Sequence, residues 1–233
     1  MGADMVDSAL SGEHHDLVPA DFVALARRWY PNLSNKLLTF VWQGYDLLMK
    51  ELPAGIDERD LERSITQSLE LRIRRVMSGD EPFQIQHDPY ERETMKNQPA
   101  QPPQYDLAFL LREDERIMWP LEAKVLETDT SVGEYVKDLT GEFLTCRYSP
   151  FSSEAAMLGY LLSGIADKVF GQLEEKIPCT LVAHPSFPNR PAKTSAHSRR
   201  VPPGKTYPVS FRCHHLILAF PGFSRTKKGL DPH

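Results

Sequence analysis

Two apolar runs, "YDLAFLL" (residues 105–111) and "IMWPLEAKVL" (117–126), flank the charged stretch "REDER" (112–116). Nothing else in the chain restricts the fold as tightly. Each run has the length of a strand, and the charged residues between them must stay in water, so the stretch predicts a β-hairpin turning at Asp114. Opposed residues then have numbers summing to about 228, which sets Asp106 across from Glu122. Directly opposed side chains share a face and sit roughly 4.5–5.5 Å apart. Lys124 falls on that face too, because side chains alternate with period two, while Leu121, Ala123 and Val125 point to the core.

The placement raises an energetic problem. Charges in an apolar strand are costly unless paired or bound to a metal, and two carboxylates side by side repel. A divalent cation between Asp106 and Glu122 resolves both costs. Mg²⁺ prefers carboxylate oxygens, keeps several waters and accepts further oxygens from a phosphate. Lys124 would add a point charge beside it, able to hold or help deprotonate an attacking water or to neutralise a phosphorane-like transition state.

The rest of the chain supplies the frame. Residues 1–18 read as a leader. "PADFVALARRWYPNLSNKLLTFVWQGYDLLMKELP" reads as two helices broken at Pro31, and residues 19–56 as an N-terminal helical extension. "GIDERDLERSITQSLELRIRRVMSGD" predicts a third helix, capped by Asp57 and stopped near Gly79. A strand in "EPFQIQHDPYERE" and the Pro-rich loop "TMKNQPAQPPQ" precede the hairpin. After it, "SVGEYVKDLTGEFLTCRY" and "SSEAAMLGYLLSGIADKVFGQLEEKI" read as helices, the second capped by Ser152 or Ser153. "CTLVAH" and "VSFRCHHLILAF" read as strands, joined by a long basic, Pro-rich loop. This order predicts an α/β fold with a mixed central sheet flanked by helices.

The spacing D-x15-E-x-K across a hairpin, here Asp106, Glu122, Ala123 and Lys124, resembles the PD-(D/E)XK, or restriction-endonuclease-like, nuclease superfamily. The resemblance covers roughly residues 57–220, within a nuclease-like domain set at 57–222 and followed by a basic tail at 223–233. It implies an αβββαβ core, with Mg²⁺ (Mn²⁺ as substitute) held by Asp106, Glu122 and the carbonyl of Ala123. It also implies an acid from the preceding helix, Glu62 first and Glu70 second, and Lys124 beside the water. The family's Pro before the Asp is absent, because Tyr105 stands there. The implied activity is metal-dependent hydrolysis of DNA phosphodiesters, as an endonuclease, in a setting of bacterial defence or mobile-DNA processing. The alternative is a non-catalytic scaffold on the same fold, with Trp29, Trp42 and Tyr45 forming a docking face for a partner protein.

Charge and composition narrow the classes. The net charge is −5, yet residues 184–233 hold nine Lys and Arg against one acid, Asp231. An acidic body with a basic C-terminal part suggests one face for a polyanion. Lys193, His197, Arg199 and Arg200 from the basic loop, with Arg147 and Tyr148 after the hairpin, are the candidate DNA contacts; Lys137 could also line the cleft. The first residues lack a basic and apolar secretory signal, no apolar run is long enough to span a membrane, and three scattered cysteines argue for reduced thiols; together these predict a cytoplasmic protein. There is no phosphate-binding G-x-x-x-x-G-K-[ST] loop, no dinucleotide fingerprint and no serine-hydrolase elbow around Ser195. Cys213 and His215 could supply at most two zinc ligands.

Overall fold

The structure, a computed structural model, describes residues 33–51, 60–91 and 102–223. The leader, Trp29, the Asp57 cap and the basic tail beyond residue 223 lie outside the described residues. Helix α1 spans Ser34–Glu51 and α2 Leu61–Val76. Strands β1 (Phe83–His87), β2 (Leu107–Leu111) and β3 (Met118–Leu126) follow. Next come helix α3 (Gly133–Asp138), continued by a π-helical turn over Leu139–Phe143, and strand β4 (Glu154–Leu161). Helix α4 (Ala166–Lys176) and strands β5 (Val182–Ala183), β6 (Ala192–Ser198) and β7 (Ser210–Ala219) complete the described chain.

The seven strands form one mixed open sheet in the order β1-β2-β3-β4-β7-β6-β5. β1, β2 and β3 are antiparallel neighbours, β4 runs parallel to β3 and to β7, and β6 and β5 return antiparallel. Two apolar layers flank this sheet. Leu121, Ala123 and Val125 of β3 join Leu37, Val41, Ile65 and Leu69 of α1 and α2. The next face along, through Leu126, Met157 and Cys213, packs on Tyr135, Leu139, Phe170 and Leu173 of α3, the π turn and α4. The chain is therefore an α/β fold with helices on both sides of the sheet, as the element order predicts. No helix among the described residues is long and apolar enough to cross a membrane.

Helix α1 belongs to this core. Trp42 is buried, and Tyr45 packs edge-on against Trp42 and Phe220. The α1 and α2 backbones approach so closely at Gly44 that a Cβ there would lie 2.9 Å from the Ile73 nitrogen. Trp42 is thus taken up by internal packing and is not open to a docking partner, whereas Tyr45 is half-buried.

Two sequence expectations are corrected. "SSEAAMLGYLL" is strand β4, not the start of a long helix; the helix begins only at Ala166, after Gly164 turns the chain with a φ of 103°. The basic loop is partly strand: residues 192–198 form β6, paired along their whole length with β7.

Candidate functional site

The hairpin register is the expected one. Leu107 opposes Leu121 and Leu110 opposes Met118, so the numbers sum to 228. The turn is closed by Asp114, whose carboxylate accepts the Arg116 backbone N–H at 3.1 Å. β2 begins at Leu107, whereas β3 continues to Leu126. The N–H groups of Ala123 and Val125 therefore have no β2 partner, and buried N–H groups must find one. Two carboxylates complete the ladder: Asp106 Oδ2 accepts from Ala123 N at 2.7 Å and Glu62 Oε2 from Val125 N at 2.9 Å. Backbone need thus fixes two of the acids that the sequence singles out. Glu70 lies elsewhere and pairs with Arg74 within α2.

Lys124 sits at the centre. Its Nζ donates to the Ala123 carbonyl at 2.7 Å and to Glu122 Oε1 at 2.9 Å. Asp138 Oδ2 lies at 3.1 Å, Glu62 Oε1 at 3.4 Å and Asp106 Oδ2 at 3.7 Å. Four carboxylates surround one ammonium. Burial alone would lower the Lys124 pKa, but the charges of Glu122, Asp106 and Glu62 together overcome it and raise it above the ordinary lysine value. Lys124 is therefore a cation at neutral pH. Burial, then the Asp106 charge, pushes the Glu122 carboxyl well up, and burial does the same to Glu62 more mildly. A cleft of about 490 Å³ opens beside this group, lined by Glu62, Lys124, Glu127, Ser131, Glu134 and Tyr135.

The donor set suits a hard cation. Carboxylates and one carbonyl are the oxygen ligands that Mg²⁺ and Mn²⁺ take. Glu122 Oε2 is buried and has no hydrogen-bond partner among the described residues, beside the one oxygen that Lys124 already takes. Such an orphaned anionic atom is costly and calls for a cation or a donor. Against this, no group of three or more His, Cys, Asp or Glu among the described residues is arranged to hold a metal ion as the side chains now stand. Lys124 lies among the oxygens where a cation would go.

Asp138 joins this site without a sequence motif to mark it. It is the last residue of α3, directly before the π turn, where the Leu144 N–H bonds back to Leu139 O at 3.0 Å. π turns inside helices recur at functional sites, but a lone acid in "YVKDLTG" carries no such signal in the sequence. Lys137, its neighbour, faces solvent and pairs with Glu134 at 2.8 Å.

The candidate DNA contacts are dispersed. Arg147 is exposed and held by Glu142 at 2.6 Å. Tyr148 packs between Tyr105 and Phe143 and donates to the Gln104 carbonyl at 2.9 Å. Arg199 is buried and donates to the carbonyls of Pro208 and Ser149 at 2.9 and 2.8 Å, so its guanidinium serves the fold. Arg200 is exposed. Lys193 lies over the Phe170 ring at 5.0 Å. His197 bonds to Ser195 Oγ at 2.6 Å, and Ser195 in turn to His215 at 2.7 Å. Burial lowers the pKa of both imidazoles, His215 to about 3, which leaves His215 neutral at physiological pH.

No family model matches the chain, and neither a curated protein nor a solved structure does.

Proposed function

We propose that this protein is a metal-dependent phosphodiesterase of the PD-(D/E)XK, restriction-endonuclease-like kind, acting on DNA as an endonuclease. One observation carries the reading. Asp106, Glu122, the Ala123 carbonyl and Glu62 converge within 3.7 Å of Lys124 at the end of one hairpin, with Glu122 Oε2 unpartnered among the described residues. The order α2, β1, β2, β3, α3, β4, with three antiparallel strands and β4 parallel to β3, is the αβββαβ order such a nuclease needs, and it supports the reading.

In this account Asp106, Glu122 and Ala123 O hold Mg²⁺ or Mn²⁺, and Glu62 is an outer acid. The bound ion would supply charge neutralisation and a Lewis acid for the phosphodiester. Lys124, being protonated, orients the hydrolytic water and opposes negative charge on phosphorus; it is not the proton acceptor. The cleft is acidic, so a polyanion approaches productively only once cations are bound. Arg147, Arg200 and Lys193 lie outside it as backbone contacts, in a cytoplasmic effector working with DNA and with a partner protein or a second copy.

A second reading has its own observation. Lys124 already balances part of the acidic cluster, and no ready-made metal group exists among the described residues. The chain would then be a non-catalytic scaffold with a structural ion network. Cleavage of plasmid, single-stranded DNA and RNA with Mg²⁺ or Mn²⁺ separates the two. Cuts that vanish with chelator, in Asp106→Asn and in Lys124→Ala support the enzyme. Cuts that persist unchanged in both variants, or silence on every substrate, overturn it.

A further inference from the structure

We propose that Asp138 is a fourth acid of this site, whose task is to retain Lys124 when a divalent cation takes the oxygens that the ammonium now contacts. The inference rests on the metal reading above and assigns a positioning residue that the D, E-x-K spacing does not contain.

The count of oxygens leads to it. An ammonium has three protons, yet five oxygens lie within 3.7 Å of Lys124 Nζ. The two nearest, Ala123 O at 2.7 Å and Glu122 Oε1 at 2.9 Å, are ones the cation needs. Mg²⁺ binds oxygen at about 2.0–2.1 Å, so an ammonium on the same two atoms would crowd and repel it. Lys124 therefore has to leave them without leaving the site. Glu62 and Asp106 are tied to β3 backbone N–H groups. Asp138 is different. It approaches from α3, across from the hairpin, and its carboxylate forms an ion pair with Lys124 alone among the described residues. Its side chain is 19% exposed, so it keeps water on one side and can hold the whole ammonium without being stripped of solvent. The π turn that starts one residue later ends the α-helical hydrogen bonding at this point.

The test is Mn²⁺ affinity of the full chain, measured by electron paramagnetic resonance, in a double-mutant cycle. Lys124→Met binds Mn²⁺ more tightly than wild type, because the competing ammonium is gone. Asp138→Asn binds about tenfold more weakly, because Lys124 then stays on the Glu122 and Ala123 oxygens that the ion needs; that factor is about 1.4 kcal/mol of binding free energy. In the Lys124→Met background, Asp138→Asn costs about threefold or less, the remaining loss being plain charge removal. Asp138→Glu stays near wild type. If Lys124→Met does not fold, Lys124→Gln takes its place, since it removes the charge and keeps a donor. Equal losses in both backgrounds, or none in either, overturn the role of Asp138 while leaving the metal site standing. A wild type that binds no Mn²⁺ overturns this inference and the metal reading together.

Discussion

Removing the Lys124 charge is the sharpest perturbation of the molecule. In Lys124→Met, Glu122 keeps its burial and loses the one cation that pairs with it among the described residues. At an effective dielectric of about 20, the 2.9 Å contact is worth roughly 5–6 kcal/mol of gross attraction. Much of that is offset by the cost of taking both charges out of water. Asp138, Glu62 and Asp106 are 19–26% exposed, so water screens their share. What remains is the cost of breaking a buried pair, about 3–5 kcal/mol at pH 7.5. The pH dependence follows from the sign of the Glu122 shift. Burial and Asp106 raise its folded pKa above the unfolded value, so its charge is opposed in the folded state. That cost is absent below the ordinary carboxylate range and grows as pH rises through the raised pKa. The deficit of the variant should therefore shrink to about 1 kcal/mol near pH 4. Urea unfolding of both proteins at the two pH values measures it. A deficit below about 1 kcal/mol at pH 7.5, or one that does not change with pH, would refute Lys124 as the charge balance of the cluster.

Three further outcomes follow from the same contacts. Glu122→Gln should stabilise the protein by about 1 kcal/mol at pH 7.5 while abolishing cleavage, and the gain should fade below about pH 4.5, as thermal melts across pH will show. The Glu81 carboxylate accepts the Ser78 and Gly79 N–H groups, with the Ser78 hydroxyl adding a third bond, and the pKa is pulled down to about 2, first by the Ser78 N–H. Its contribution is fully present above the ordinary glutamate pKa and lost as pH falls through about 2, so Glu81→Ala should cost about 2 kcal/mol in urea at pH 7 and a small fraction of that near pH 2. Gly44→Ala would press a methyl onto the Ile73 backbone and should cost about 2 kcal/mol, read from the same denaturation midpoint.

The hairpin was legible in the sequence because its signals are local. A charged turn fixed at Asp114 sets the register, and the register sets Asp106 near Glu122 and Lys124. Glu62 was legible as the first acid of an amphipathic helix. Strand β4 was not. It is buried on both faces between two parallel neighbours, so it shows no period-two alternation, and its Ala, Met and Leu residues favour a helix. β6 is small and polar, "AKTSAHS", and becomes a strand only through its pairing with β7. Arg199 reads as a surface cation, yet the fold spends it on two carbonyls and on the Phe211 ring. Asp138 depends on where α3 lies against β3, a tertiary fact with no sequence signature.

The most direct test of the central claim is the position of Mn²⁺ by anomalous diffraction from crystals of the full chain soaked in the ion. The expected result is a peak bounded by Asp106, Glu122 and the Ala123 carbonyl, with the Lys124 side chain withdrawn toward Asp138. A crystal whose anomalous map is empty there, with Lys124 still on Glu122 and Ala123 O at saturating Mn²⁺, would contradict it.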